Sequence, residues 1–114
     1  MSLFNTLFRS RPATSDNVEV LEVEVFKKAV HRNNVQLVDV RTHREFKGGH
    51  IARALNIDYF KGDAFYKEFE KMDKTKPLYL YCRSGNRSNK AAHKLAARGF
   101  EKVYDLKGGI LRWK

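Results

Sequence analysis

From Val18 onward, short apolar runs that read as strands alternate with segments of helical periodicity, and this alternation limits the fold more than any other feature. Val18 to Val23 alternates apolar and acidic residues and predicts a first strand near a sheet edge. Glu24 to Arg32 places Val25, Phe26, Ala29 and Val30 on one helical face. Gln36 to Val40 is a short, mostly apolar strand, and a one-turn helix fits within Arg41 to Phe46, ahead of Gly48-Gly49. A weaker third strand centres on Ala54 to Ile57. Asp63 to Met72 is helical, with Phe65, Phe69 and Met72 on one side, and Asp73 to Pro77 is a polar turn. Leu78-Tyr79-Leu80-Tyr81 reads as a buried strand. The helical run Asn89 to Arg98 then turns Ala91, Ala92, Leu95 and Ala96 toward the sheet, and Gly99 suits its C-terminal stop. Val103 to Leu106 is a fifth strand, and Gly108-Gly109 opens a last short helix through Trp113. Such an order requires right-handed crossovers. The expected class is therefore α/β, a mainly parallel five-stranded sheet covered by helices on both faces.

The chain has 114 residues, the size of one domain, with 42% hydrophobic residues and a net charge of +10. No apolar run approaches the ~20 residues needed to span a membrane. One cysteine excludes an internal disulfide, and the four histidines show no ligand spacing, so neither a metal nor a cofactor is expected. A free thiol presented for chemistry suits a reducing cytoplasm. The basic residues are spread from Arg9 to Lys114 without a block, which argues against nucleic acid and for small anions or an acidic partner protein. Residues 1–16 stand apart from the domain at 17–114. They carry Leu3, Phe4, Leu7 and Phe8 at helical spacing and are expected to form an arm, disordered or packed, with residues foreign to the natural chain at its start as one alternative. A membrane-touching or partner-docking helix is the alternative there.

Cys82 follows the buried strand at once, in the loop Cys82-Arg83-Ser84-Gly85-Asn86-Arg87-Ser88. A strand, a short loop and a helix gather backbone N–H groups at the helix N-terminus, where the first turn has no intrahelical acceptors. A thiol held there, flanked by Arg83 and Arg87, is expected to ionise more readily than a free one. On these residues alone, the alternatives stay open. Cys82 can be a small buried hydrophobe and the two arginines solvated surface charges.

Three separated segments resemble the rhodanese (thiosulfate sulfurtransferase) family in its single-domain form. They are Leu37 to Arg41 with Glu45-Phe46; Gly49-His50-Ile51 with Ala54 to Ile57; and the Cys82–Ser88 loop, followed by Gly99-Phe100 and Leu106 to Ile110. Together they span about residues 18 to 114. One departure is Ala52-Arg53, where the family usually has a proline and then a small residue.

The resemblance implies that the Cys82 thiolate takes sulfur from a small anionic donor such as thiosulfate, and that a persulfide passes it to an acceptor by ping-pong kinetics. The acceptor would be cyanide or a thiol, with thioredoxin, glutathione or a sulfur-carrier protein among the candidates. Backbone N–H groups of residues 83 to 88 would cradle the sulfur, Arg83 and Arg87 would orient the leaving sulfite, and Gly85 would let the loop fold tightly. Ser84 and Ser88 can add hydroxyl donors, Asn86 completes the loop, and Ser88 can equally serve as a helix cap. Asp39 and Arg41 read as ion-pair scaffolding with a loop arginine or Glu45. His50 is expected to hydrogen-bond backbone within its own turn, and Trp113 to cover the core.

Two rival functions follow from the same residues. Cysteine phosphatases and arsenate reductases of this fold also use a cysteine and an arginine. They place one more residue between the two than the four, Arg83 to Asn86, found here. A non-turnover sulfur-carrier or docking module is the other rival.

Overall fold

The structure is a computed structural model that describes residues 17–32 and 34–113; the expected arm at 1–16 lies outside them. Its strands are β1 (Val18–Leu21), β2 (Gln36–Asp39), β3 (Leu55–Asn56), β4 (Leu78–Tyr81) and β5 (Val103–Leu106). Its helices are α1 (Val23–Val30), α2 (His43–Lys47), α3 (Asp63–Phe69) and α4 (Asn86–Ala97), with 3-10 turns at Tyr59–Lys61 and Gly109–Arg112. The sheet has five strands in the order β1-β5-β4-β2-β3, and every pairing is parallel. The α/β class, the five strands and the edge position of β1 are as the alternation required.

Side-chain alternation in the strands divides the core into two layers. Leu78, Leu80 and Cys82 face α3 and α4, where they join Val38, Val103, Phe65, Phe69, Ala91, Ala92 and Leu95. Tyr81 faces the other way, with Leu37 and Leu106, toward Phe26 and Val30 of α1. Trp113 covers that second layer, its ring edge-on to Phe26 at 6.4 Å. Each large side chain withdrawn from water in these layers contributes about 1.5–3 kcal/mol. The small Ala91 and Ala92, both fully buried, let α4 lie close against β4 and β5.

Several boundaries differ from the sequence expectation for local reasons. β1 stops at Leu21 because Glu22 already caps α1, accepting the N–H of Phe26 at 3.0 Å. Val25, expected on the buried face of α1, is 53% exposed; Phe26 and Val30 make that contact, with Ala29 half-buried. Helix α3 ends at Phe69, and Met72 packs partly on the core from just beyond it. Helix α4 begins at Asn86, three residues before the expected start. Gly85 takes a φ of 100°, and the Asn89 N–H bonds its carbonyl. At the far end Gly99 has a φ of 110°, with Gly99 N–H on Ala96 and Phe100 N–H on Leu95, a Schellman stop.

The Ala52-Arg53 departure has a structural counterpart. Ala54 N–H bonds the Ile51 carbonyl at 3.1 Å, and Arg53 at the third position has a φ of 71°. That is the place where a turn of this kind favours glycine. The Arg53 guanidinium meanwhile reaches the carbonyls of Val30 and His31, so it caps the C-terminus of α1.

Beyond β2, the chain is held by a buried ion pair. Arg41 donates Nε and Nη2 to the Asp39 carboxylate at 2.7–3.0 Å, and the same Nη2 reaches the Gly49 carbonyl at 2.7 Å. Asn56 Nδ2 donates to the carbonyls of Asp39 and Arg41, tying β3 to this corner. The pairing is Asp39 with Arg41, not either one with a loop arginine or Glu45. Removing one partner leaves an uncompensated buried charge. Asp39→Ala should therefore cost about 3–5 kcal/mol in urea unfolding; a loss below about 1 kcal/mol would show that water re-enters and screens Arg41.

Candidate active site

In a parallel sheet the strands point the same way, so their C-terminal ends meet along one rim. Cys82 leaves β4, the central strand, on that rim. Only Arg83, Ser84 and Gly85 separate it from the first residue of α4. The turn is braced from below by the segment after β5: Ile110 N–H bonds the Cys82 carbonyl at 2.9 Å, and Leu111 N–H the Arg83 carbonyl at 3.2 Å. Gly109 makes this approach possible. A Cβ there would lie 2.3 Å from the Arg83 carbonyl oxygen.

The sulfur is the focus of this turn. Gly85 N–H points at Cys82 Sγ at 3.1 Å, Ser88 N–H at 3.4 Å, and Ser88 Oγ lies 3.4 Å away. Among the described residues these are the hydrogen bonds to the sulfur. Of the N–H groups from 83 to 88, the two from Gly85 and Ser88 are directed at the sulfur. Cys82 is 0% exposed, the floor of the loop and not its rim. Arg83, Ser84 and Asn86 form the rim and are exposed. Among the described residues, the Arg83 side chain has no hydrogen-bond or ion-pair partner.

Arg87 is engaged by Glu45. Its Nη1 and Nη2 donate to Glu45 Oε1 and Oε2 at 2.9 and 3.0 Å, a fork-to-fork pair. Its guanidinium also lies 5.5 Å from the ring centre of Phe60, which is 67% exposed. Glu45 is itself fixed by the N-terminal capping box of α2. It accepts from Thr42 N–H, and Thr42 Oγ1 accepts from Glu45 N–H. The Arg87 hydrogen bond, opposed by partial burial and helped by Thr42, holds the Glu45 carboxyl down at about 2. The Thr42-x-x-Glu45 spacing was a visible signal for that anchor.

Ser88 is not a cap, since Gly85 occupies the cap position of α4. Its hydroxyl is buried and lies 2.6 Å from Asp105 Oδ1, while Asn89 Nδ2 donates to Oδ2 at 3.3 Å. Asp105, which the sequence reading passed over, is 2% exposed on β5. Burial raises its carboxyl to about 6, against the pull of Ser88, Asn89 and His93. A carboxylate at the inward position of Val103-Tyr104-Asp105-Leu106 was the available signal. His50 keeps to its turn as expected: Nδ1–H donates to the Phe46 carbonyl at 2.9 Å, and the two rings stack at 3.7 Å.

A cavity of about 360 Å³ opens beside β3, lined by His43, Asn56, Ile57, Asp58, Lys61, Ala64, Phe65 and Glu68; Cys82 is not part of its wall. Among the described residues, no cluster of three or more His, Cys, Asp or Glu could hold a metal ion. No helix among them is long and apolar enough to cross a membrane.

A central parallel strand ends in a cysteine whose sulfur receives the N–H groups of a tight loop and a helix N-terminus, within an α/β domain. The rhodanese-like domain family matches residues 22–114, and the chain belongs to it. A thiosulfate sulfurtransferase, GlpE, from Coxiella burnetii is 36% identical over 85 residues, 75% of this chain and 77% of its own length. A tRNA uridine(34) hydroxylase from Pelagibacter ubique is 33% identical over 93 residues, 82% of this chain but 31% of that protein. The crystal structure of a rhodanese-like domain protein from Staphylococcus aureus superposes with a TM-score of 0.72 at 28% identity, covering 84% of this chain and 91% of that one.

The Glu45 carboxyl, held down to about 2 against an ordinary 4.5, stabilises the fold above pH about 4.5, and this contribution is lost as the pH falls through about 2. The Glu45 side chain is 28% exposed, which discounts the gain through solvent screening. Glu45→Gln should cost about 1–2 kcal/mol in urea unfolding near neutral pH and almost nothing near pH 2. A cost independent of pH would assign the effect to the capping box alone.

Proposed function

We propose that this domain is a sulfurtransferase that carries sulfane sulfur on Cys82. The observation that supports the reading most is the pair of N–H groups, from Gly85 and Ser88, aimed at the Cys82 sulfur at the start of α4. Such donors stabilise a thiolate and, after it, an ionised persulfide. Similarity to the thiosulfate sulfurtransferase supports the same choice.

In the first half-reaction the thiolate attacks the outer sulfur of a donor such as thiosulfate. A bond forms between Cys82 Sγ and that sulfur while the donor's S–S bond breaks, and sulfite leaves with the electron pair. Total charge is unchanged, and no external oxidant is needed. In the second half-reaction an acceptor thiolate, or cyanide, attacks the outer sulfur and returns Cys82 as thiolate. Arg83, Ser84, Gly85, Asn86, Arg87 and Ser88 form the donor site in this reading, with unequal tasks. Arg83 is exposed at the rim and has no partner among the described residues, so it is the cation that meets the incoming anion. Arg87, committed to Glu45, holds α4 and α2 together beside the loop and contributes only residual charge. Because Cys82 lies at the floor, the rim of Arg83, Ser84 and Asn86 must yield for the donor to reach it. We place the protein in the cytoplasm, where a thiol stays reduced, with a thiol such as thioredoxin, glutathione or a sulfur-carrier protein as acceptor.

A second reading, a carrier or docking module whose partner supplies the turnover, draws on one observation. A domain like this one accounts for 31% of the tRNA uridine(34) hydroxylase it resembles, so such domains also occur inside larger proteins. The phosphatase reading is disfavoured by the four residues between Cys82 and Arg87.

Intact mass after incubation with thiosulfate should rise by one sulfur atom, reversibly with reductant, and should not rise in Cys82→Ser. No adduct, together with hydrolysis of an aryl phosphate, would overturn the proposal. Arg83→Ala should lower kcat/KM for thiosulfate about tenfold or more while changing stability by under about 0.5 kcal/mol. Wild-type kinetics in that variant would remove Arg83 from the donor site.

A further inference from the structure

Asp105 occupies a place that the fold otherwise gives to apolar side chains. In the sheet its partners are Val20 on β1 and Leu80 on β4, neither of which ionises. Among the described residues its polar neighbours come from α4: Ser88, Asn89 and the exposed His93. A buried carboxylate destabilises a core unless it is well paired, and an apolar residue would fit this position without that cost. What the carboxylate does that an apolar residue cannot is bond Ser88.

The Ser88 hydroxyl has one proton and three acceptors within reach: Asp105 Oδ1 at 2.6 Å, and Cys82 Sγ and the Gly85 carbonyl, each at 3.4 Å. The 2.6 Å separation is that of a charge-assisted O–H···O⁻ bond, so an ionised Asp105 holds the proton. A protonated Asp105 instead donates its own O–H to Ser88 Oγ. That frees the Ser88 proton to turn to the sulfur.

We propose that Asp105 is a positioning residue that decides, through Ser88, whether a hydroxyl hydrogen bond is given to the Cys82 sulfur or withheld from it. The chain Asp105–Ser88–Cys82 crosses from β5 through α4 to the end of β4, with both links made by one oxygen atom. With the Asp105 carboxyl near about 6, the hydroxyl turns to the sulfur in acid and is withdrawn as the pH rises through that value. The sulfur thus loses a hydroxyl donor once Asp105 is ionised. The proposal concerns the ionisation of Cys82; it rests on the sulfur-transfer reading only for its consequence in turnover.

The test reads thiolate absorbance in the ultraviolet against pH, as a difference from Cys82→Ser, so it is independent of any donor or acceptor. In Asp105→Asn the amide donates to Ser88 Oγ, and the hydroxyl proton is free for the sulfur at every pH. The thiolate-to-thiol ratio near neutral pH should rise roughly three- to tenfold over wild type. In the Ser88→Ala background the same substitution should change the ratio less than about twofold. Asp105→Val, which matches its neighbours Val20 and Val103, removes the acceptor and should act in the same direction if the amide is not tolerated. An unchanged or lowered ratio in Asp105→Asn and Asp105→Val overturns the proposal. So does an equal rise without Ser88, which would make Asp105 a through-space charge only. A failed sulfur transfer with these ionisation shifts intact would count against the sulfurtransferase reading alone.

Discussion

The Gly85 N–H that points at the Cys82 sulfur is available because three constraints coincide in five residues. Strand β4 is central, between β5 and β2, so its end is fixed from both sides. Gly85 adopts a backbone that side-chain-bearing residues avoid, which turns the chain within three residues. Helix α4 begins at once and leaves its first N–H groups unpaired over the turn. A longer loop or a later helix start would aim those groups elsewhere. The rest of the site is arranged around this turn. Gly109 supports it from below, Ser88 closes its far side, and Glu45 anchors Arg87 at its edge.

The charges near the sulfur are less simple than a pair of arginines beside a thiol. One guanidinium is spent on Glu45, which is itself held by the cap of α2, so α2 and α4 are joined by a partly buried pair. The other, Arg83, is exposed and has no partner among the described residues. A fourth charged group, Asp105, lies on the opposite side of Ser88, its carboxyl pushed up to about 6 by burial. Positive potential at the helix N-terminus and the exposed Arg83 favour a sulfur anion; Asp105 opposes it and competes for the Ser88 proton.

Most of the architecture was legible because it rests on periodicity. Phe65 with Phe69, and Ala91 with Ala92 and Leu95, lie on helix faces that the spacing alone marks, and all are buried. The boundaries were less legible. The start of α4 depends on whether Gly85 takes a positive φ, and Asn86-Arg87-Ser88 has too little apolar content to announce a helix. Val25 has the hydrophobicity of a core residue, yet α1 is short and Phe26 with Val30 already covers the sheet there, so Val25 faces solvent. The candidate site was legible as a sequence run, Cys82 to Ser88. Its electrostatic partners were not, since Glu45 lies 42 residues from Arg87 and Asp105 lies 17 from Ser88.

The sequence by itself determined the class of fold, the strand that carries the cysteine and the residue types around it. Local preferences of glycine, of apolar spacing and of helix stops act within a few residues, and a reader can sum them. The tertiary structure alone decided that the sulfur is buried at the floor of its loop, that Arg87 is engaged while Arg83 is not, and that Ser88 faces a carboxylate instead of capping a helix. Those outcomes depend on which strand ends meet on one rim. The parallel order β1-β5-β4-β2-β3 brings segments far apart in the chain to hydrogen-bonding distance, and no local signal encodes that distance.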